Sequence, residues 1–213
     1  MKLEIKNISK KFNDNLVLDN INMQLTSNNI YGFSGRNGSG KSVLLKIISG
    51  LYFPTTGNIF LNDKKIDYHE KFLPSLGVLI ESPKFFHNLT CYENLEIIGN
   101  ISKKIEKEDI LRVLEIVNLI SEKDKKFSKC SLGMKQKLGI ASAIINDPDI
   151  LILDEPFNGI EEASVLKIKE YLKSIKNNKI IILSTHNKED LEELSKQIFY
   201  FDNGKVCIKW KIN

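Results

Sequence analysis

The sequence predicts an α/β fold: a mostly parallel core sheet, an N-terminal antiparallel β-subdomain and an inserted helical subdomain. Three observations predict it. Two unbroken apolar runs, Ile150-Leu151-Ile152-Leu153 and Ile180-Ile181-Ile182-Leu183, read as parallel strands buried on both faces. A glycine-rich turn, Gly35-Arg36-Asn37-Gly38-Ser39-Gly40-Lys41-Ser42, lies between an apolar strand (Ile30-Tyr31-Gly32-Phe33-Ser34) and a helical pattern in Val43, Leu44, Ile47, Ile48 and Leu51. The N-terminal segments instead alternate apolar and polar residues, as half-buried antiparallel strands do.

Taken in order, Leu3, Ile5 and Ile8 mark a first strand. Val17-Leu18, Ile21, Met23 and Leu25 mark a second, joined to it across Asn13-Asp14-Asn15. Asn58 to Leu61 forms a third, ending at a turn in Asn62-Asp63. Leu76 to Ile80 is a buried strand closed by Glu81-Ser82-Pro83. Thr90 and Glu93 form a capping box for a helix through Leu95 and Ile98. Ile110, Leu111, Leu114, Val117 and Leu119 give a second amphipathic helix, and the lysine-rich run from Glu122 to Lys129 reads as a solvated loop. Ser131 opens a further helix with Met134, Leu138, Ala141, Ile144 and Ile145 on its apolar side, stopping before Asp147-Pro148. Ala163 to Tyr171 is helical, and Ile198 to Trp210 is a hairpin turning at Asp202-Asn203-Gly204. One domain spanning 1–213 follows, with 1–83 and 140–213 as the core and β-subdomain and 84–139 as the helical subdomain.

Composition narrows the setting. A net charge of +4, spread over interleaved Lys and Glu, is a solvated surface rather than a nucleic-acid footprint. No apolar run reaches the length of a membrane span, and the first residues lack a signal-peptide core, so the expectation is a soluble cytosolic domain. Cys91, Cys130 and Cys207 lack metal-ligand spacing and read as packing residues in a reducing compartment.

The glycine-rich turn fits the pattern G-x-x-x-x-G-K-[ST], which defines a P-loop NTPase core. Gly35, Gly38 and Gly40 let the backbone turn tightly against a polyphosphate, and Asn37 and Ser39 contribute N–H groups to the anion nest. Lys41 reaches the β- and γ-phosphates and Ser42 ligates the accompanying Mg²⁺. The loop also opens a helix, whose N-terminal dipole favours negative charge. It binds a nucleoside triphosphate. Ligands of open α/β sheets sit beyond the carboxyl ends of the strands, where Glu81, Asp154, Glu155 and His186 also fall. Asp154 is a candidate Mg²⁺ ligand, Glu155 a residue that polarises water, and His186 a source of charge stabilisation. Phe12 either stacks on the base or staples its hairpin.

With these motifs in place the chain resembles the nucleotide-binding domain of ATP-binding-cassette (ABC) transporters over essentially its whole length. Gly35 to Ser42 matches Walker A, Ile150 to Glu155 matches Walker B, His186 matches the switch histidine, and Phe12 falls at the adenine-stacking position. The Leu-Ser-Gly-Gly-Gln signature falls on Cys130-Ser131-Leu132-Gly133-Met134. The resemblance implies that Ser131 and Gly133 contact ATP held by a second subunit in a head-to-tail dimer. Two departures stand out: Glu81 replaces the usual Gln and joins the catalytic and metal-binding set, and Glu161 replaces Asp in the segment Phe157 to Glu161. Glu81 in its Ile-Glu-Ser-Pro context resembles the branch exporting lantibiotics or conferring bacitracin-type resistance.

The expectation is an ATP-hydrolysing subunit, with ATP and Mg²⁺ as cofactors, dimeric and peripheral on the inner face of the cell membrane beneath a separate permease. A soluble non-transport ABC ATPase and a nucleotide-gated module that no longer hydrolyses are the alternatives. Phe85, Phe86 and Leu89 either dock a permease helix or pack the helical subdomain.

Overall fold

The computed structural model describes residues 1–67, 73, 75–102 and 104–210. β1 (Lys2–Phe12) and β2 (Asn15–Thr26) bury Leu3, Ile5, Ile8, Leu18, Ile21, Met23 and Leu25 and leave Asn20, Asn22 and Gln24 exposed. They pair antiparallel across Asn13-Asp14. The chain then enters a second sheet through β3 (Asn29–Gly35) and the helix α1 (Lys41–Ile48). It returns to the first sheet with β4 (Thr56–Leu61) and a two-residue β5 (Lys64–Lys65), giving the antiparallel order β2-β1-β4-β5. β5 is a strand that the sequence pattern did not announce, since two exposed lysines carry no alternation.

The core sheet adds β6 (Leu76–Leu79), β7 (Ile150–Asp154), β8 (Ile180–Ser184), β9 (Gln197–Asp202) and β10 (Lys205–Trp210), in the order β10-β9-β3-β8-β7-β6. All its pairs are parallel except β9 with β10. The C-terminal hairpin is thus no appendage, because β9 pairs in parallel with β3 directly before the glycine-rich loop. Every residue of β7 and β8 is buried, and the alternation sends their side chains into two separate cores. Ile150, Ile152, Ile180 and Ile182 join α1 and the small sheet, while Leu151, Leu153, Ile181 and Leu183 join the helices. Truncating one such residue to Ala costs about 2–5 kcal/mol, so the strands that carry Asp154 and Ser184 at their ends are firmly anchored.

Between β6 and β7 lie α2 (Cys91–Ser102), α3 (Lys107–Ile116) and α4 (Leu132–Ile144); α5 (Glu162–Ile175) and α6 (Lys188–Leu194) follow. The Thr90–Glu93 capping box is formed: the Thr90 N–H donates to Glu93 Oε2 (2.7 Å) and the Glu93 N–H to Thr90 Oγ1 (3.1 Å). The lysine-rich run, expected as a solvated loop, is instead built into the helical unit. Phe127 is buried, its N–H donates to the Leu89 carbonyl (2.9 Å), and the carbonyls of Lys125 and Lys123 accept from Cys91 (3.0 Å) and Tyr92 (2.9 Å). Backbone groups of the run therefore satisfy first-turn donors of α2 that have no partner inside the helix.

The boundary expected at 139/140 falls inside α4, which continues through it as one helix. Cys91 and Cys130 are buried with sulfurs 3.6 Å apart, as packing residues, and burial pushes the Cys91 thiol up to about 12. Cys207 is exposed, because the edge strand β10 turns it to solvent. α6 went unforeseen in the sequence. Its KEDLEEL run shows little apolar periodicity, and Lys169 of α5 anchors it by pairing with Asp190 (2.6 Å) and Glu193 (2.7 Å).

Candidate functional site

The glycine-rich loop leaves the carboxyl end of β3 and wraps the N-terminus of α1, where Gly40 occupies the N-cap with φ 103° and no side-chain cap. The first-turn N–H groups of α1 are thereby left for an anion. Two of the three glycines owe their identity to the protein rather than to a ligand. A Cβ on Gly35 would lie 2.4 Å from the Phe201 carbonyl, and one on Gly40 would lie 2.7 Å from Leu18 Cδ2. Only at Gly38 would a Cβ meet open space. The hairpin turn braces the loop further, with the Gly204 N–H donating to the Ser39 carbonyl (3.3 Å).

A cavity of about 320 Å³ lies over this loop, lined by Val17, Asn37 to Val43, Asp154 and Glu155. Lys41 is buried, and its ammonium donates to the carbonyls of Gly35 (2.6 Å) and Arg36 (3.1 Å). Burial lowers its pKa below the ordinary lysine value against the opposing pull of Glu155 and Asp154. The Ser42 hydroxyl donates to Asp154 Oδ2 at 2.7 Å, joining residues 112 positions apart. A hydroxyl beside a carboxylate is the kind of oxygen donor pair that a hard divalent cation takes. Among the described residues no group of three or more His, Cys, Asp or Glu side chains is arranged to hold a metal by itself. The pair therefore fits a cation that brings water and phosphate oxygens with it.

Glu155 has φ 48°, an uncommon conformation for a glutamate. It is held there by its N–H donating to the Ser184 carbonyl (2.8 Å) and its carbonyl accepting from Gln136 Nε2 (3.0 Å). Its carboxylate meets His186 Nδ1 at 2.9 Å. His186 lines neither this cavity nor the one beside it, and its immediate partner is Glu155 rather than the loop.

Asp154 and Glu155 also wall a second cavity of about 410 Å³, shared with Glu81, Ser82, Leu132, Gln136 and Asn158. Glu81 stands at its rim with φ 61°, mostly exposed and ion-paired with Lys46 of α1. That contact raises the Lys46 pKa, chiefly through its hydrogen bond to Glu81. The fold thus brings Glu81, Asp154, Glu155 and the loop to one end of the sheet.

Three expected site residues stand apart. Phe12 is 40% exposed and does not line the loop cavity; its ring meets Tyr52 edge-on at 5.6 Å. Ser131 caps α4, accepting from the Met134 N–H (3.3 Å), and lines neither cavity. Gly133 packs on the Phe157–Glu161 segment, where a Cβ would lie 2.3 Å from the Gly159 carbonyl. Phe85 and Phe86 divide the two readings of that stretch: Phe85 packs 5.1 Å from Phe127, while Phe86 is 58% exposed. Gln136 and Lys137 were not among the expected residues. They lie two and three residues beyond the signature, at adjacent helical positions, a spacing that gives no pointer to partners 19 and 24 residues away.

Known proteins are similar to this chain in sequence and fold. The ABC transporter family profile matches residues 18–158. A bacitracin transport ATP-binding protein, BcrA of Enterococcus faecalis, is 37% identical over 96% of this chain and 67% of its own length. The lantibiotic transport ATP-binding protein SrtF of Streptococcus pyogenes is 33% identical over 97% of this chain and 90% of its own length. Among solved structures, an ATP-binding subunit of an ABC transporter superposes with a TM-score of 0.88 at 26% identity, covering 99% of this chain and 90% of that one. A dimeric ATP-binding cassette bound to ADP and Pi shares the fold at TM-score 0.89 and 24% identity, with 99% of each chain covered.

Proposed function

The chain belongs to the ABC transporter family as an ATP-binding, ATP-hydrolysing subunit, and we propose that it powers export of a peptide antibiotic or similar amphipathic molecule through a separate permease. The bond from Ser42 to Asp154, beside the buried Lys41 at an uncapped helix N-terminus, carries the reading of the site. Lys41 and the loop N–H groups hold the β- and γ-phosphates, and Phe12 stacks on the base. Ser42 and Asp154 hold Mg²⁺, with Glu81 within reach of the same space; the ion neutralises phosphate charge when bound. Glu155 orients and deprotonates the attacking water, and His186 fixes the Glu155 carboxylate through the 2.9 Å contact.

Ser131 and Gly133 serve a nucleotide held by a second nucleotide-binding subunit, which suits their place outside both cavities and the 70% exposure of Leu132 between them. The chain works on the cytoplasmic face of the membrane. Among the described residues no helix is long and apolar enough to cross a bilayer, which supports a path formed by another chain. The exposed Phe86 is the proposed permease contact.

Glu155→Gln tests the mechanism. Removing a general base costs about 10²–10⁴-fold in rate, while ATP binding persists and the dimer accumulates. Size-exclusion chromatography with MgATP, alongside phosphate release, reads both. A variant that stays monomeric and turns over at the wild-type rate refutes the role.

A further inference from the structure

Glu81, Asp154 and Glu155 line the second cavity, and among the described residues no lysine or arginine lines it with them. Lys41 faces the other cavity and spends its hydrogen bonds on Gly35 and Arg36. Like charges gathered in one space repel unless a counter-charge is supplied. Lys41 acts on Asp154 and Glu155 from that other cavity, and the cation that meets Glu81 is Lys46, about one turn along α1 beyond Ser42, whose ammonium donates to Glu81 Oε1.

Lys46 is itself held in place. Its side chain is only 16% exposed against 65% for Glu81, so the lysine is the fixed partner and the glutamate the adjustable one. The ammonium lies 5.0 Å from the centre of the Tyr52 ring, a cation–π distance. The Tyr52 N–H donates to the Lys46 carbonyl at 3.0 Å, and the same ring meets Phe12 at 5.6 Å. Glu81 by contrast sits in the left-handed region, where a glutamate needs an external hold.

Resting on the reading that Glu81 belongs to the ATP site, we propose that Lys46 is the positioning residue of Glu81. It draws the carboxylate to the rim of the cavity and away from Asp154 and Glu155, so that a divalent cation must compete with Lys46 for it. This accounts for the absence, among the described residues, of a three-carboxylate metal group in a place where three carboxylates share one cavity. It also ties the strength of Glu81 as a ligand to α1, the element that carries the phosphate loop.

The test is a double-mutant cycle read by Mn²⁺ binding to the nucleotide-free protein, followed by electron paramagnetic resonance. Lys46→Met is expected to bind Mn²⁺ about two- to fivefold more tightly than wild type, the range set by a partly exposed ion pair. Lys46→Arg, which keeps the charge, restores the wild-type value. In a Glu81→Gln background, adding Lys46→Met changes nothing, because the residue acts through Glu81. Equal Mn²⁺ binding by Lys46→Met and wild type, undetectable binding by both included, overturns the proposal. So does the same gain in the Glu81→Gln background, which marks a general loss of positive charge. ATP turnover by wild type in the same preparations separates this result from the function itself. A flat cycle with normal turnover removes only Lys46, whereas absent turnover removes the ATPase reading.

Discussion

The loop at 35–42 and the turn at 130–134 both deliver the chain to a helix N-terminus, yet they finish that helix differently. At the first, the N-cap is a glycine in a left-handed conformation with no side chain to offer, so the leading N–H groups of α1 stay open and Lys41 is buried beside them. At the second, Ser131 caps its own helix through the Met134 N–H, the backbone is extended rather than left-handed, and the next residue is an exposed leucine. A helix N-terminus left uncapped beside a fixed cation is an anion site of its own chain. The first turn meets both conditions, and the second meets neither. Under the proposed function, a partner's nucleotide completes the second.

The largest effect expected from that contrast is at Lys41. Lys41→Ala removes the ammonium that lines the loop cavity and loses about 100-fold in MgATP affinity, the worth of a hydrogen-bonded charge. Equilibrium dialysis against labelled ATP reads this directly. Unchanged affinity erases the distinction between the two turns, since both would then bind through backbone alone.

Most of the first turn and little of the second could be read in the sequence, for physical reasons. The P-loop announces itself because its glycines, lysine and serine are contiguous and flanked by a strand and a helix. β7 and β8 announce themselves because burial on both faces leaves an unbroken apolar run. What braces the loop is not contiguous: Leu18, Phe201 and Gly204 close on Gly35, Ser39 and Gly40 from three other strands and turns. The same holds for α4, whose Gly133, Gln136 and Lys137 reach Gly159, Glu155 and Glu161 only after the chain has returned through β7. Gly133 was therefore legible as part of a signature, while its packing duty was not.

That duty supplies an intermediate effect. A methyl on Gly133 meets a backbone carbonyl at 2.3 Å, so α4 or the segment after β7 must shift. Gly133→Ala is expected to cost about 2 kcal/mol and to lower Tm by about 4–8 °C, measured calorimetrically without nucleotide. A destabilisation seen with no nucleotide or partner present assigns the glycine first to packing within the chain. A Tm equal to wild type would return it wholly to the partner's nucleotide.

The smallest effect sharpens how the second turn is held. Glu161 accepts from Lys137 Nζ at 2.7 Å and from Ser164 Oγ at 2.6 Å, while Lys137, buried in α4, also donates to the Asn118 carbonyl at 3.1 Å. The hydrogen bond from Lys137 is the leading reason that the carboxyl is drawn down from 4.5 to about 2. A carboxyl with a depressed folded value binds fewer protons in the folded state. Its stabilisation is thus complete above the ordinary value of 4.5 and is lost as pH falls toward about 2. Because the Glu161 side chain is 53% exposed, solvent screening limits the contribution to about 1 kcal/mol or less. Urea unfolding of wild type and Glu161→Gln at about pH 7 and about pH 3 reads it as a gap that narrows in acid. A gap of the same size at both pH values would mean that shape rather than charge holds α4 to the segment after β7. The turn at 130–134 would then rest on its Ser131 cap and on packing at Cys130 and Gly133, with no electrostatic clamp behind it.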